Sequence, residues 1–404
     1  MHRLAPSIRV DGANLLLRNK AIAKQIDRQP DPGTVRRRAW DTIPAEDTMV
    51  EQVQPTKGCF RMWRAVRPGP LTAIAASMWL CCADPVHAQA TSHRVVPIGQ
   101  VAFTEGPVWH PDGSVYFSDV ENNRIMRRDA SGTVRIFRIP AGRANGLVFD
   151  LEGRLLACEG SREGGNRRVT RTESNGVITV LADRFQGMRF NSPNDITIDT
   201  RGFVYFTDPR YGDRSDMELV DAQGNLVEGV YRIDPDGSVA QLLTHEVTRP
   251  NGIAVSPDDH YLFVADNAND ATGNVRKLWR FELTDDRQVV PGSRTLLFDW
   301  GTDRGPDGMA IDERGRLYVT AGLNYPAPPF ETAGKFRAAV YIISSSDGHL
   351  IDHIPVPIDM VTNCAFGGPD LQTLFITAGH KLWSVQIDTP GHVAWLTRPE
   401  RDVP

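Results

Sequence analysis

The sequence predicts an all-β fold: a six-bladed β-propeller with four-stranded blades and a central channel. Three observations carry it. A motif recurs six times, each copy alternates apolar and polar residues around a turn, and helical periodicity is nearly absent. The copies are EGPVWHPDGSVYFSDV from Glu105, NGLVFDLEGRLLACEG from Asn145, NDITIDTRGFVYFTDP from Asn194, NGIAVSPDDHYLFVADN from Asn251, DGMAIDERGRLYVTAG from Asp307 and NCAFGGPDLQTLFITAG from Asn363. Their leading residues are separated by 40, 49, 57, 56 and 56 positions. Each copy reads as a hairpin, and further strands lie between copies, such as GVYRIDPDGSVAQLL at 229–243 and KLWRFEL at 277–283. That makes about four strands per repeat, the content of a propeller blade. The last repeat ends in KLWSVQID (381–388) and the body opens with HRVVPIG (93–99), so an initial strand is expected to complete the final blade and close the ring.

The propeller is assigned to residues 91–404. Of the 404 residues, 41% are apolar and 24% charged, which excludes a wholly disordered chain. Residues 91–404 carry 32 basic and 42 acidic side chains, a net of −10. An acidic body argues against nucleic acid as a partner and suits cations or neutral substrates. No apolar run reaches the roughly 18 residues that span a bilayer. Residues 62–90 form a secretory leader instead: Arg64 and Arg67 precede an apolar stretch from Leu71 to Ala83, and Ala88 and Ala90 sit at −3 and −1 of a cut after Ala90. Leu80 before Cys81 does not fit a lipoprotein signal. The chain is therefore expected to be exported, to the periplasm or the medium. Because a leader belongs at a chain start, translation is expected to begin at Met62, with residues 1–61 an over-called start or a disordered extension. Downstream of the leader only Cys158 and Cys364 remain. A disulfide between them and two buried thiols are both open, the thiols being the commoner arrangement. No CxxC pair exists, which removes a zinc ribbon.

In a propeller the first strand of each blade lines the channel. Glu105, Asn145, Asn194, Asn251, Asp307 and Asn363 should therefore converge on one end of the axis. Asn-Gly and Asp-Gly are also common turn dipeptides, but that reading explains single positions better than a ring. Two carboxylates and four amides are hard oxygen donors. They suit one divalent cation, calcium first, then magnesium or manganese. Zinc remains a further choice, although it ordinarily takes His or Cys. HExxH, GxSxG and P-loop motifs are absent, which removes the common zinc-protease, serine-hydrolase and NTPase readings.

The segments TEGPVWH (104–110), NRRVTRTE (166–173), FNSPNDITID (190–199), YFTDPRYG (205–212), RPNGIAVSPDD (249–259), GPDGMAID (305–312) and TNCAFGG (362–368) resemble the SMP-30/gluconolactonase family, in the right order over roughly 95–390. The resemblance implies a propeller with a divalent metal in its channel that hydrolyses lactones. Carried over position by position, it implies Glu105, Asn194, Asn251 and Asp307 as metal ligands and Asp307 also as catalytic base. One departure stands out: where the family pattern reads CEHGNRRVTR, this chain has a longer SREGGNRRVTR after CEG, and Gly160 replaces the histidine.

The resulting expectation is a lactonase opening a small sugar-type lactone, with a cation polarising the carbonyl and Asp307 assisting water. Asn145 and Asn363 are candidates to bond substrate hydroxyls, and Arg189 and Tyr211 lie on loops expected at the same end. The competing readings are a metal-binding propeller that senses sugars and a hydrolase of other esters or phosphotriesters. The sequence carries no signal for oligomeric state. Export has a direct check: intact-mass analysis of the exported protein should place its N-terminus at Thr91, and a mature form retaining Met1 would refute it.

Overall fold

The computed structural model describes residues 93–271 and 273–396. The expectations for residues 1–61, the leader and its cleavage site lie outside them. Within the described residues, each sequence repeat forms one antiparallel four-stranded sheet. After β1 (Val96–Gln100), blade 1 comprises β2 (Thr104–Trp109), β3 (Val115–Asp119), β4 (Arg124–Arg128) and β5 (Val134–Arg138). Blade 2 comprises β6 (Ala144–Phe149), β7 (Leu155–Glu159), β8 (Arg168–Thr172) and β9 (Ile178–Ala182). A small hairpin, β10 (Arg184–Phe185) and β11 (Met188–Arg189), leads to blade 3: β12 (Ile196–Ile198), β13 (Val204–Asp208), β14 (Gly229–Ile233) and β15 (Val239–Leu243). Blade 4 holds β16 (Pro250–Val255), β17 (Tyr261–Asn267), β18 (Arg276–Glu282) and β19 (Thr295–Asp299). Blade 5 holds β20 (Met309–Ile311), β21 (Arg316–Ala321), β22 (Ala339–Ser344) and β23 (Leu350–Pro355). Blade 6 holds β24 (Val361–Gly367), β25 (Thr373–Ala378) and β26 (Lys381–Gln386), and β1 supplies its fourth strand. Val96 pairs with Ser384 and Gln100 with Lys381, so β1 closes the ring as expected.

Blades cohere through apolar faces packed against their neighbours. One cluster joins Tyr116, Phe149, Leu155, Phe206 and Tyr231, and another joins Trp300, Met309, Leu317 and Tyr341. In blades 2 and 5 the first and second strands are joined by the same turn. Asp150 accepts from the amides of Glu152 and Arg154, and Asp312 does the same for Arg314 and Arg316. Cys158 and Cys364 are free and buried, and burial pushes both thiols up. Among the described residues no helix is long and apolar enough to cross a membrane.

At the axis the inner strands touch. The amides of Gly146, Gly252 and Gly308 donate to the carbonyls of Asn194 (2.7 Å), Asp307 (2.9 Å) and Thr362 (2.7 Å) on the next blade. Hydroxyls on the second strands add to this seam: Ser118 Oγ donates to Asn145 O and Thr207 Oγ1 to Asn251 O, both at 2.7 Å. The glycine that follows each of these leading residues makes the approach feasible. A Cβ on Gly252 would lie 2.2 Å from Asp307 O, and one on Gly308 2.1 Å from Asn363 Cγ.

The antiparallel order sets the two ends of the channel apart. The leading residues share their end with the long connections 209–228 and 322–338, whereas the opposite end carries mostly short turns. Beneath that opposite end the C-terminal segment crosses the ring. The amide of Gly391 donates to Leu371 O and that of His392 to Ile311 O, and the Trp395 ring lies 5.1 Å from Phe149 and 5.8 Å from His110.

The axial contacts yield a stability prediction. Gly252→Ala should destabilise the protein by about 1–3 kcal/mol or more, the range for forcing a methyl into packed space. Gly99→Ala, whose Cβ would meet nothing closer than 3.6 Å, should be nearly neutral. Chemical denaturation of the two variants makes the comparison, and equal midpoints would contradict this account of the axis.

Candidate active site

The six leading residues stand near the starts of the innermost strands, as the repeat predicts. Glu105, Asn145 and Asn251 are second in β2, β6 and β16, and Asn363 is third in β24. Asn194 and Asp307 lie two residues ahead of the regular strands β12 and β20, which are shorter than expected.

Glu105 and Asp307 are 6% and 5% exposed, and each feels the other. Burial, then the facing Asp307 and Asp195, push the Glu105 carboxyl well above its usual range. Burial also raises Asp307, against the pull of Arg304, whose Nη2 donates to Asp307 Oδ2 at 3.0 Å. Asn251 hydrogen-bonds the Asp307 carboxylate, and its Nδ2 donates to the Tyr211 hydroxyl at 3.0 Å. Tyr211 in turn donates to Asn267 O at 3.1 Å, and the Arg249 guanidinium lies 5.3 Å from its ring centre. Tyr211 is therefore a buttress for Asn251, and burial holds its phenol protonated. Asn194 makes main-chain bonds to Gly146 and Thr207, and among the described residues its side-chain amide makes no hydrogen bond. Among the described residues Asn145 Oδ1 is buried with no partner.

Asn363 is engaged differently from expectation. Its Oδ1 accepts from the Cys364 amide at 2.8 Å, and its Nδ2 donates to Asp195 Oδ1 at 3.1 Å. Blades 3 and 6 stand opposite in a ring of six, so this bond crosses the axis. Asp195 Oδ2 also accepts from the Ile253 amide on blade 4 at 3.2 Å. Burial pushes the Asp195 carboxyl up to about 7. The pair floors the site, and a cavity of about 120 Å³ lies beneath it, lined by Ile198, Val255, Ile311 and Phe366 and covered by His392 and Trp395. Arg189 falls on the β10–β11 hairpin at the same end. Its amide donates to Glu218 Oε2 at 3.1 Å, and among the described residues its side chain makes no hydrogen bond to the leading residues. At the departure noted above, a side chain on Gly160 would come within 3.2 Å of Arg143 O and 3.3 Å of Ser192 Oγ.

Sequence reasoning missed Asp195, Arg304 and Glu331. Asp195 directly follows Asn194, where four of the other blades have glycine, and that break in the repeat was its only signal. Arg304 lies three residues before Asp307 in DRGPDG. Glu331 belongs to a long connection without repeat character.

The donor set suits a hard cation. Two buried carboxylates that repel each other, with one guanidinium beside them, leave net negative charge, and the uncommitted Asn194 amide and the orphaned Asn145 oxygen are neutral oxygen donors. Among the described residues no three His, Cys, Asp or Glu side chains group closely enough to bind a metal. A cation here would need amide oxygens beside Glu105 and Asp307.

Fold and site together define a propeller hydrolase-type scaffold, with an acid–amide ring at the loop-rich end of a floored channel. The chain belongs to the SMP-30/gluconolactonase/LRE-like family, whose region matches residues 103–380. It is 33% identical over 315 residues to a gluconolactonase of Zymomonas mobilis, covering 72% of this chain and 80% of that protein. It is 28% identical over 291 residues to a 6-deoxy-6-sulfogluconolactonase of Pseudomonas putida, covering 69% and 83%. The structure of a gluconolactonase from Xanthomonas campestris superposes with a TM-score of 0.60 at 30% identity, covering 74% of this chain and 90% of that one.

The fit to a cation is testable without substrate. Calcium at a hundredfold excess over its Kd should stabilise the protein by about 2.7 kcal/mol, read as a rise in Tm. Glu105→Gln should abolish most of that rise, and an undiminished rise in this variant would move the ion elsewhere.

Proposed function

We propose that the chain is a lactonase that opens sugar-type lactones with one divalent cation, calcium first, held by Glu105, Asn194, Asn251 and Asp307. The observation that carries the reading is the meeting of two buried, mutually repelling carboxylates with amide side chains at the loop-lined end of the channel. The relatives described as gluconolactonase and sulfogluconolactonase support the substrate class. The leader at 62–90 supports export to the periplasm or medium as the place of action.

A divalent cation bound there supplies Lewis-acid polarisation of a carbonyl and stabilises developing oxyanion charge. The chain's own residues do the rest. Asp307 takes a proton from the attacking water while Arg304 and Asn251 hold its carboxylate in place. The water oxygen bonds to the carbonyl carbon, the ring C–O bond breaks, and the leaving oxygen takes up a proton, so the products balance as one hydroxy acid. Tyr211 keeps the Asn251 amide fixed, and Asn145 offers its unpaired oxygen to a substrate hydroxyl. The Asp195–Asn363 bond beneath the ring keeps the substrate at the loop end.

A panel of aldonolactones, other sugar lactones and aryl esters, assayed before and after chelation and with each metal restored, tests the reading. Lactone hydrolysis lost on chelation and regained with calcium is the expected result. Asp307→Asn should lower kcat by roughly two to four orders of magnitude, the range for losing a positioned acid–base group. Asn363→Ala should cost less, since its amide serves the floor. Wild-type rates from Asp307→Asn at saturating metal would remove Asp307 as the base.

A further inference from the structure

Asp303 and Arg304 lie side by side on the connection from β19 to β20, and each grips the entrance connection 322–338. Asp303 accepts from the Thr332 hydroxyl and from the amides of Gly334 (2.7 Å), Lys335 (2.8 Å) and Phe336 (2.8 Å). Arg304, 6% exposed, reaches two carboxylates: Nη2 donates to Asp307 Oδ2 at 3.0 Å and Nη1 to Glu331 Oε2 at 3.4 Å. Glu331 is itself buried. Its Oε1 accepts from Asn269 Nδ2 at 3.3 Å, and its main chain exchanges two hydrogen bonds with Ala327. Arg276, 1% exposed, pins the same connection by donating to Phe330 O at 2.9 Å. The guanidinium thus bridges the acid at the centre of the ring and the acid of the entrance loop, both out of water.

From this geometry we infer that Arg304 is a positioning residue for Asp307, one that sets the carboxylate's orientation and lowers the site's affinity for its cation. The inference deepens the lactonase reading and rests on it. Arg304 occupies Oδ2 of Asp307, so one oxygen is committed and the carboxylate cannot rotate freely about its Cβ–Cγ bond. A planar guanidinium held at both ends by carboxylates is well suited to this, because its fork fixes direction as well as charge. Its positive charge stands directly against one of the two acids that would hold the cation. In a buried site that repulsion is felt strongly, since little water screens it. Glu331 offsets the guanidinium on its far side and carries the fixation into the entrance loop.

The signature is a pair of opposite changes. Arg304→Gln should reduce kcat by about ten- to a hundredfold, as loss of a carboxylate's aim does, with a smaller change in KM. The same change should tighten calcium binding, measured by titration calorimetry without substrate, by about tenfold or more. Arg304→Lys keeps the charge and loses the fork, so its calcium affinity should stay near wild type while kcat recovers only in part. Arg304→Gln combined with Glu331→Gln removes the acid left unpaired, and gives the same reading if the single variant fails to fold. A residue that merely supports the fold would lower affinity, rate and unfolding midpoint together, and that outcome would overturn the inference, as would unchanged affinity in a folded Arg304→Gln protein. Should the wild type bind calcium and hydrolyse no lactone, the lactonase reading falls, while the affinity comparison still decides the role of Arg304. If no variant binds calcium, the inference falls with the site.

Discussion

Contact between neighbouring inner strands at the axis is the constraint on which the rest of this structure depends. Where Gly146, Gly252 and Gly308 give up a side chain, the amide of one blade reaches the carbonyl of the next. Only that closeness lets Glu105 feel Asp307 and sets Asn251 on the Asp307 carboxylate, because side chains from separate sheets would otherwise spread around a wide hole. The same contact leaves the hydroxyls of Ser118 and Thr207 in reach of the carbonyls behind the site. Backbone polarity is thus satisfied next to a cluster of acids, where an unpaired group would be costly.

Burial then does chemical work. Glu105 and Asp307 would repel each other weakly in water. Out of water their repulsion, with that of Asp195, raises Glu105 well above a normal carboxyl and makes a compensating positive charge favourable. Arg304 supplies part of that charge, and Glu331 keeps it from being an isolated buried cation. The site is a balance among five ionisable groups rather than a pair of ligands.

How much of this could be read in advance follows from distance along the chain. Blade count, strand alternation and ring closure by residues near Val96 were visible because each is written locally, in a pattern repeated six times. The leading residues were visible for the same reason. The floor was not: Asp195 meets Asn363 across 168 positions, and no local pattern encodes that a side chain will cross the axis. Tyr211 was expected at this end of the channel, but its bracing of Asn251 was not legible, because it is set by a hydroxyl-to-amide contact between different blades. Glu331 sits in a connection with no periodicity at all, so its meeting with Arg304 depends on a loop path that only the folded chain defines.

The floored channel has a consequence for traffic. With the Asp195–Asn363 bond across the axis and the C-terminal segment beneath it, the site is, among the described residues, a blind alley that opens at the loop end. Whatever enters must back out the way it came, past the loops that Asp303 and Arg304 hold. Whatever has reacted at the floor stands in the path of the next arrival until it leaves. The doorway at the loop end therefore serves arrivals and departures in turn rather than at once.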